Sequence, residues 1–376
     1  MRTCLINPQK LLRFDFGPLH PFKVYRLGLT YRLMEAYGLT AAGSITTLDP
    51  RQATEEEAQA FHTPGYLEVL RLADTGMWVP NLFAHGLGTT DNPVFPGVYE
   101  WGMLVAGASV ECAEEVLAGR AETAFNFSGG LHHAMPSRAS GFCHINDPAL
   151  AIHTLLRHGK TVAYVDIDAH HGDGVQSAFY TTNRVLTISL HQSGYTLFPG
   201  SGFVEEIGQG EGRGYAVNIP LLPGARDDAF ERAFDAVVLP LLEAYAPDVL
   251  VTQLGADALI GDQVAGLRMS LREYERLVGR FRGLERPWLA LGGGGYDVAN
   301  VVRAWTLAWA RMNDAGLPDE IPEEWLTPAA AYGVSVRSLR GPAESEGRSP
   351  AAVLEDLDQT IAALEKTVFP VLGAST

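Results

Sequence analysis

The stretch TVAYVDIDAHHGDGVQSAFYTTNRVLTISL occupies residues 161–190 and decides the fold class. Its first part, 161–168, is an apolar run that predicts a strand. Residues 174–180 are typical of a short helix, and residues 184–190 predict a second strand. A strand, a helix and another strand in this order favour parallel strands joined by a crossover helix. The stretch therefore predicts an α/β protein.

The same alternation continues on both sides of this stretch. Further strands are predicted at residues 4–6, 122–127, 216–221, 248–254 and 287–291. Helices are predicted around 24–34, at 98–119, at 147–158 with Asp147 as the N-cap, and at 230–241 with a kink at Pro240. The runs 248–254 and 287–291 are apolar throughout, as expected of strands covered on both faces. We therefore predict a mainly parallel sheet flanked by helices on both faces.

The chain is expected to form one domain over residues 1–376, because no internal repeat or linker divides it. A polar segment rich in Gly and Pro predicts a loop at 340–350. The apolar spacing beyond that loop predicts a closing helix at about 351–366, packed on the domain.

Composition excludes several classes of protein. The 28 basic and 44 acidic residues give a net charge of −16, which argues against a nucleic-acid surface. No signal-peptide core opens the sequence, and the longest uncharged apolar stretch, 101–110, is too short to cross a membrane. Three cysteines without CxxC spacing indicate a reducing compartment. A cytoplasmic protein is expected.

Polar residues follow four of the predicted strands where each strand ends. These segments are FSGGLHH at 127–133, VDIDAHHGD at 165–173, LGAD at 254–257 and LGGGGY at 291–296. The carboxyl ends of parallel strands meet at one edge of a sheet, where ligands bind. We therefore expect the four segments to form one site.

The second and third segments predict a metal site. Asp166, Asp168 and His170 are spaced by two residues, so that in an extended chain all three project to one side. Asp168, His170 and Asp257 would supply three ligands and leave a position for water or substrate, as catalytic zinc requires. The alternative interpretation is that the acidic run caps a strand and a helix by ordinary hydrogen bonds.

The other two segments predict acid–base chemistry. His132 and His133 follow two glycines that can turn both imidazoles into one cavity, and Asp166 and Asp173 are suited to orient them. The glycine run 292–295 lacks the spacing of a phosphate loop, and a sharp turn that presents Tyr296 explains it better. A metal-activated water, a histidine pair and a phenol donor together predict amide hydrolysis without a covalent intermediate.

The sequence resembles the zinc-dependent histone deacetylase family, and within it the bacterial acetoin-utilisation deacetylases. The resemblance spans about residues 14–311. It rests on HPFKVYR (20–26), GGLHHA (129–134), SGFCHINDPALAI (140–152), VDIDAHHGDGVQSAFY (165–180), TISLH (187–191), LFPGSG (197–202), QLGADAL (253–259) and GGGGYDVAN (292–300).

The resemblance implies the fold and the catalytic residues. The expected fold is the arginase-like α/β sandwich. Asp168, His170 and Asp257 are the implied zinc ligands, and iron(II) is a chemically acceptable alternative for this oxygen-rich set. The implied catalytic residues are His132 and His133 for proton transfer, Asp166 and Asp173 supporting them in that order, and Tyr296 as the oxyanion donor.

The resemblance also implies how substrate and potassium are bound. The residues implied to contact or surround the substrate are Phe142, Phe198 and Gly141 in the acyl-lysine tunnel, Asp91 at its rim, and Arg26 behind the metal near the exit of acetate. Potassium is implied at one site formed by Asp166, Asp168, His170, Ser189 and Leu190. A second potassium site is implied at Phe179, Thr182, Val185 and Tyr215.

The expected activity is release of acetate from N6-acetyl-lysine in proteins. The subfamily suggests an acyl-CoA synthetase as partner, and with it the regulation of acetyl-CoA synthetase and of acetoin and acetate metabolism. Two alternatives remain open. One is an acetylpolyamine amidohydrolase on the same scaffold, although no long insertion that would narrow the tunnel is visible. The other is a catalytically inactive acetyl-lysine binding module, which would be expected to lack Tyr296 or one histidine of the pair.

Overall fold

The computed structural model describes residues 2–41, 43–342 and 347–375. Within them, eight strands form one sheet in the order β2-β1-β3-β8-β7-β4-β5-β6, and every neighbouring pair is parallel. The strands are β1 (Thr3–Ile6), β2 (Ile45–Leu48), β3 (Thr123–Asn126), β4 (Val162–Asp166), β5 (Val185–Gln192), β6 (Ala216–Leu221), β7 (Val249–Gln253) and β8 (Trp288–Leu291).

Helices cover both faces of the sheet, as the apolar strands require. They are α1 (Tyr25–Ala36), α2 (Glu55–Ala58), α3 (Pro64–Asp74), α4 (Val98–Leu117), α5 (Asp147–Arg157), α6 (Asp173–Phe179), α7 (Asp227–Ala233), α8 (Leu239–Tyr245), α9 (Leu271–Gly283), α10 (Val298–Met312), α11 (Glu323–Ala330), α12 (Ala351–Thr367) and α13 (Phe369–Leu372). Short 3-10 turns lie at Pro8–Leu11, Leu82–His85 and Gly210–Gly212. No helix in the described ranges is long and apolar enough to cross a bilayer.

Alternate side chains of β1 and of β4 enter two different apolar clusters. Leu5 and Ala163 pack on one face, and Cys4 and Tyr164, their neighbours in sequence, pack on the other. The central strands β3, β4, β7 and β8 are buried at every residue. The predicted α/β sheet with helices on both faces is therefore confirmed.

The predicted strands are present, with ends that differ by one or two residues. The largest difference matters for the site, because β4 ends at Asp166 and residues 167–172 form a bend rather than extended chain. The edge strand β2 was not predicted, and its half-exposed side chains explain the weak signal.

Two predicted helix features need correction or refinement. The N-cap of α5 is Asn146, whose side chain accepts from the Ala149 N–H, and not Asp147, which is the first helical residue. The kink expected at Pro240 takes the form of a π-helical segment, Phe234–Val238, directly before it.

The C-terminal helix was predicted at about 351–366, and α12 extends one residue further. Val353, Leu357 and Leu364 of this helix are buried in the larger apolar cluster.

Part of the predicted 340–350 loop, residues 343–346, lies outside the described residues. All eight described strands share one sheet, and the single domain over 1–376 stays a prediction.

Candidate active site

A buried cluster of three metal-ligand side chains lies at the carboxyl end of the sheet. Asp168 and His170 follow β4, and Asp257 follows β7, the strand paired with β4. The Nδ1 atom of His170 lies 3.1 Å from Oδ1 of Asp168 and 3.0 Å from Oδ2 of Asp257. One ligand atom from each residue lies within 4.8 Å of the other two, which is close enough for all three to reach one ion.

The remaining oxygens of both carboxylates are fixed by donors from the protein. Oδ2 of Asp168 accepts from the Gln253 side-chain amide at 2.6 Å and from the Gly294 N–H at 2.8 Å. Oδ1 of Asp257 accepts from the Ala169 N–H at 2.7 Å. Each carboxylate therefore has one oxygen held by the protein and one directed at His170, as in sites whose ligands are oriented before the metal binds.

Consecutive turns, and not an extended strand, bring Asp168 and His170 together. The Asp166 carboxylate accepts from the Asp168 N–H at 3.0 Å, and the Asp168 carboxylate accepts from the His170 N–H at 3.0 Å. The expectation that all three side chains project to one side of a strand is therefore wrong. Asp166 instead turns its other oxygen toward His132.

The donor set fits a divalent cation. Two carboxylates and an imidazole are ligands that zinc and iron(II) both accept. Burial and the neighbouring Asp168 carboxylate raise the pKa of Asp257 to about 7. A bound cation would relieve the repulsion between the two buried acids, which are at most 1 % exposed.

His132 and His133 form a buried pair beside this cluster. Their Nε2 atoms lie 3.1 Å apart. Nδ1 of His132 lies 2.7 Å from the Asp166 carboxylate, and Nδ1 of His133 lies 2.7 Å from the Asp173 carboxylate. The predicted partner acids are thus the ones in contact, in the predicted order.

The environments of the two imidazoles separate their pKa values. Burial opposes the charged form of His132, but the Asp166 and Asp168 carboxylates outweigh it and raise its pKa to about 9. Burial and the adjacent His132 lower the pKa of His133 to about 4. These opposite shifts favour the charged imidazole at His132 and the neutral imidazole at His133 in the metal-free protein.

Tyr296 faces the cluster from the end of the glycine run that follows β8. It lines the same cavity as His133 and His170. Burial and the Asp257 carboxylate raise its pKa well above the usual value, so that the phenol keeps its proton. Gly293 has φ of 149°, and a Cβ there would lie 2.2 Å from the Gln253 amide. The close packing predicted for the glycine run is confirmed, whereas residues 292–297 form no turn of the kind that was also predicted.

Arg26 lies behind the glycine run and is 1 % exposed. Its guanidinium donates to the carbonyl oxygens of Gly295 at 2.6 Å and Gly293 at 2.8 Å, and it stacks on Phe22. Burial lowers the pKa of Arg26 to about 10, which leaves it charged at neutral pH. These contacts fix the backbone on one side of Tyr296.

The cavity opens to solvent between two phenylalanines. Phe142 and Phe198 line a cavity of about 150 Å³ together with Gly141. Phe198 packs its ring edge on His133, and Phe142 packs on Tyr296. A Cβ on Gly141 would lie 2.4 Å from the His133 ring and 2.9 Å from Phe198, so this position excludes any side chain.

Asp91 lies exposed at the mouth of the cavity. His20 contacts its backbone carbonyl at 3.1 Å, and the Asn92 side chain accepts from the Phe142 N–H at 2.9 Å. These two bonds connect the rim segment to the tunnel wall. Among the described residues, none hydrogen-bonds the Asp91 carboxylate, which is exposed to solvent.

The residues implied to bind potassium form two groups at β5. Asp166 pairs with Ser189 across β4 and β5, and Leu190 follows in the same strand. In the second group, the carbonyl oxygens of Phe179 and Tyr215 accept from Thr182 and Thr187 N–H groups. Val185, at the start of β5, belongs to the second group. Potassium binding by both groups stays a prediction.

Sequence reasoning missed four residues that hold the site. Gln253 supports Asp168, Val264 lines the cavity, and the Asp262 carboxylate accepts from the Tyr296 N–H. Asp147 accepts from the N–H groups of Gly130 and Leu131, directly before the histidine pair. Gln253 directly precedes the LGAD segment, and Asp262 follows it closely in the chain. This proximity to a proposed metal ligand could have identified both residues from the sequence.

Comparison with known proteins gives a consistent result. The family model described as the histone deacetylase domain matches residues 20–312. Acetoin utilization protein AcuC of Bacillus subtilis is 41% identical over 83% of this chain and 82% of its own. Histone deacetylase 9 of Arabidopsis thaliana is 42% identical over 82% of this chain and 72% of its own. The crystal structure of an HDAC homologue from Aquifex aeolicus covers 96% of this chain and 100% of that chain, with a TM-score of 0.88 and 34% identity.

Proposed function

This chain belongs to the histone deacetylase family, and we propose that it hydrolyses the acetyl amide of N6-acetyl-lysine in proteins and releases acetate. One observation carries the proposal. The buried cluster of Asp168, His170 and Asp257 lies at the inner end of a narrow cavity, beside a histidine pair and a phenol. This arrangement suits attack of water on an amide carbonyl, with every proton transfer supplied by the protein.

Asp168, His170 and Asp257 would hold the metal, with zinc as the first candidate and iron(II) as the second. A divalent ion at this position supplies Lewis-acid polarisation of the acetyl carbonyl and lowers the pKa of water. The protein holds the ligand oxygens in place beforehand, through Gln253, Gly294 and Ala169. We also propose that the two groups of residues at β5 bind potassium and that acetate leaves the site near Arg26.

The histidine pair would move the protons of the reaction. Each Nδ1 atom contacts a carboxylate, so an Nε2 atom of the pair is the position that exchanges protons with water and substrate. The pair accepts a proton from the attacking water and returns it to the leaving lysine nitrogen. Asp166 and Asp173 fix the rings and stabilise the protonated form.

Tyr296 would donate its O–H to the carbonyl oxygen as negative charge develops there. Its raised pKa keeps it a donor at neutral pH. A phenol held beside the acidic cluster acts mainly in the transition state, where the oxygen carries the charge.

The two phenylalanines would select a linear substrate arm. Phe142 and Phe198 line one cavity, and their rings would contact the methylene stem of lysine, which packs on aromatic surfaces while its bulky end stays outside. The free cysteines support a reducing, cytoplasmic setting. Similarity to an acetoin utilization protein supports a role in acetoin metabolism. We include an acyl-CoA synthetase as the acetylated partner, and a role in acetate metabolism, in the proposal.

Acetylpolyamines are the second substrate class. The exposed Asp91 carboxylate admits them, because it could pair with an ammonium group as well as with peptide N–H groups. The two classes are separated by one assay that follows acetate release from acetyl-lysine peptides and from acetylpolyamines, on one metal-reconstituted preparation. Faster turnover of peptides supports the proposal. Faster turnover of acetylpolyamines than of every peptide would replace it, and no turnover of either would favour a binding module.

Asp91→Ala is expected to reduce kcat/KM for acetyl-lysine peptides by about tenfold or more, because it removes a hydrogen bond between a charged group and the substrate. A small fluorogenic acetyl-lysine amide offers no peptide backbone to Asp91, so its turnover should change far less. Asp358→Ala, at an exposed acid on α12, serves as the control. Equal losses on both substrates would contradict the assignment and indicate that Asp91 supports the fold.

A further inference from the structure

The carboxylate of Asp262 is hydrogen-bonded to the backbone on both sides of the cavity. Its Oδ2 atom accepts from the Tyr296 N–H at 2.7 Å and from the Asp297 N–H at 3.2 Å. Its Oδ1 atom accepts from the Val264 N–H at 2.9 Å. Val264 lines the same cavity as His133, His170 and Tyr296. One side chain therefore fixes the segment that carries the phenol and the segment that carries a cavity wall.

Tyr296 depends on such anchors because its own side chain supplies none. Within the described residues, its hydroxyl makes no hydrogen bond, and its ring contact is with Phe142 at 5.6 Å. The glycines before it have no side chains that pack and fix their conformation. Arg26 holds the carbonyl groups of Gly293 and Gly295 on one side, and Asp262 holds the N–H groups of residues 296 and 297 on the other.

We propose that Asp262 is a positioning residue that sets the reach of the Tyr296 hydroxyl toward the substrate carbonyl. The inference rests on the proposed function, since it requires Tyr296 to act on the substrate. A donor that is misplaced by about 1 Å loses much of its effect in the transition state, on the order of 10²-fold in rate. Asp262 follows the proposed ligand Asp257 closely in the chain. Within the described residues it hydrogen-bonds the phenol segment and none of the three proposed ligands, and it acts on Asp257 only through its charge.

The competing explanation is that Asp262 merely stabilises a turn. A double-mutant cycle with Tyr296→Phe separates the two explanations, because residues that act through one another are not additive. If Asp262 works through the hydroxyl, its loss costs little once that hydroxyl is absent. If it stabilises only the turn, its loss costs the same in both backgrounds.

The experiment measures kcat and KM for an acetyl-lysine peptide on four metal-loaded proteins: wild type, Asp262→Ala, Tyr296→Phe and the double variant. Asp262→Ala is expected to lower kcat by about 10- to 100-fold, with a much smaller change in KM. In the Tyr296→Phe background, the same change is expected to lower kcat by less than about threefold. Metal content should stay at the wild-type level throughout, since no proposed ligand is altered.

Two further variants guard against a folding defect. Asp262→Asn keeps one acceptor oxygen of the carboxylate and should give an intermediate kcat. Thr63→Ala removes the cap of α3, which accepts from the Tyr66 N–H, and alters neither Asp262 nor the segment that carries Tyr296. It should lower the Tm as much as Asp262→Ala while kcat stays near wild type.

Equal losses of kcat in both backgrounds, or a matching loss in Thr63→Ala, would overturn the positioning role and leave the proposed function intact. An unchanged kcat in Tyr296→Phe would overturn the positioning role and the role of the hydroxyl, because no hydroxyl contribution would remain for Asp262 to position. Only a metal-loaded wild type that fails to turn over the acetyl-lysine peptide would overturn the proposed function itself. The two failures are thus distinguishable from the same set of measurements.

Discussion

Asp257→Ala is expected to abolish stoichiometric metal binding and to lower deacetylation by more than about 10³-fold, in a protein that still folds. The substitution removes one of three proposed ligands, and the two that remain both come from one turn after β4. A site with two protein ligands binds a divalent ion weakly, and the acetyl carbonyl then loses its Lewis acid. Metal content by elemental analysis and kcat/KM on an acetyl-lysine peptide are the measurements.

The protein is expected to remain folded after Asp257→Ala, because this side chain makes few hydrogen bonds with the rest of the structure. Asp257 contributes one hydrogen bond to the backbone, from the Ala169 N–H, while the surrounding sheet is buried throughout. Removing a carboxylate that is crowded by Asp168 also removes a buried repulsion. Asp257→Asn keeps the acceptor for Ala169 and should bind metal poorly as well. Asp319→Asn, at an acid bonded to Ser338 outside the cavity, is the matched control. Full metal content after Asp257→Ala would contradict the assignment of this ligand.

Tyr296→Phe is expected to lower kcat by on the order of 10²-fold or more, while KM changes much less. The ring and its contact with Phe142 persist in phenylalanine, so the tunnel keeps its shape and substrate binding is retained. What is lost is a donor that bonds the carbonyl oxygen as it becomes negative, and such a bond is worth most in the transition state. Steady-state kinetics on an acetyl-lysine peptide give both constants.

Tyr37→Phe provides the control for removal of a phenol. Its hydroxyl donates to the Glu320 carbonyl at 2.9 Å, away from the cavity. Activity of this variant should equal that of the wild type. If Tyr296→Phe also retained full kcat, the hydroxyl would have no part in the reaction, and another donor would have to stabilise the oxygen.

The sequence by itself determined the α/β class, the buried strands and the edge of the sheet at which the chemistry gathers. These features depend on short-range patterns: continuous apolar runs for β4, β7 and β8, and polar residues where those runs end. The pairing of His132 with Asp166 and of His133 with Asp173 was also predicted, and the structure has both contacts. Motifs that extend over most of the chain identified the family before any geometry was known.

Only the tertiary structure decided how the ligands converge and what holds them. After β4 has ended, Asp168 and His170 are brought together by two turns, each closed by a backbone N–H that donates to an aspartate side chain. In an extended chain, Asp166 would have projected to the same side as Asp168 and His170. Gln253 and Asp262 act on residues 85 and 34 positions away, Asp168 and Tyr296. Periodicity reports which face a residue occupies and not which distant partner it meets. Such contacts arise only when parallel strands bring their carboxyl ends to one edge.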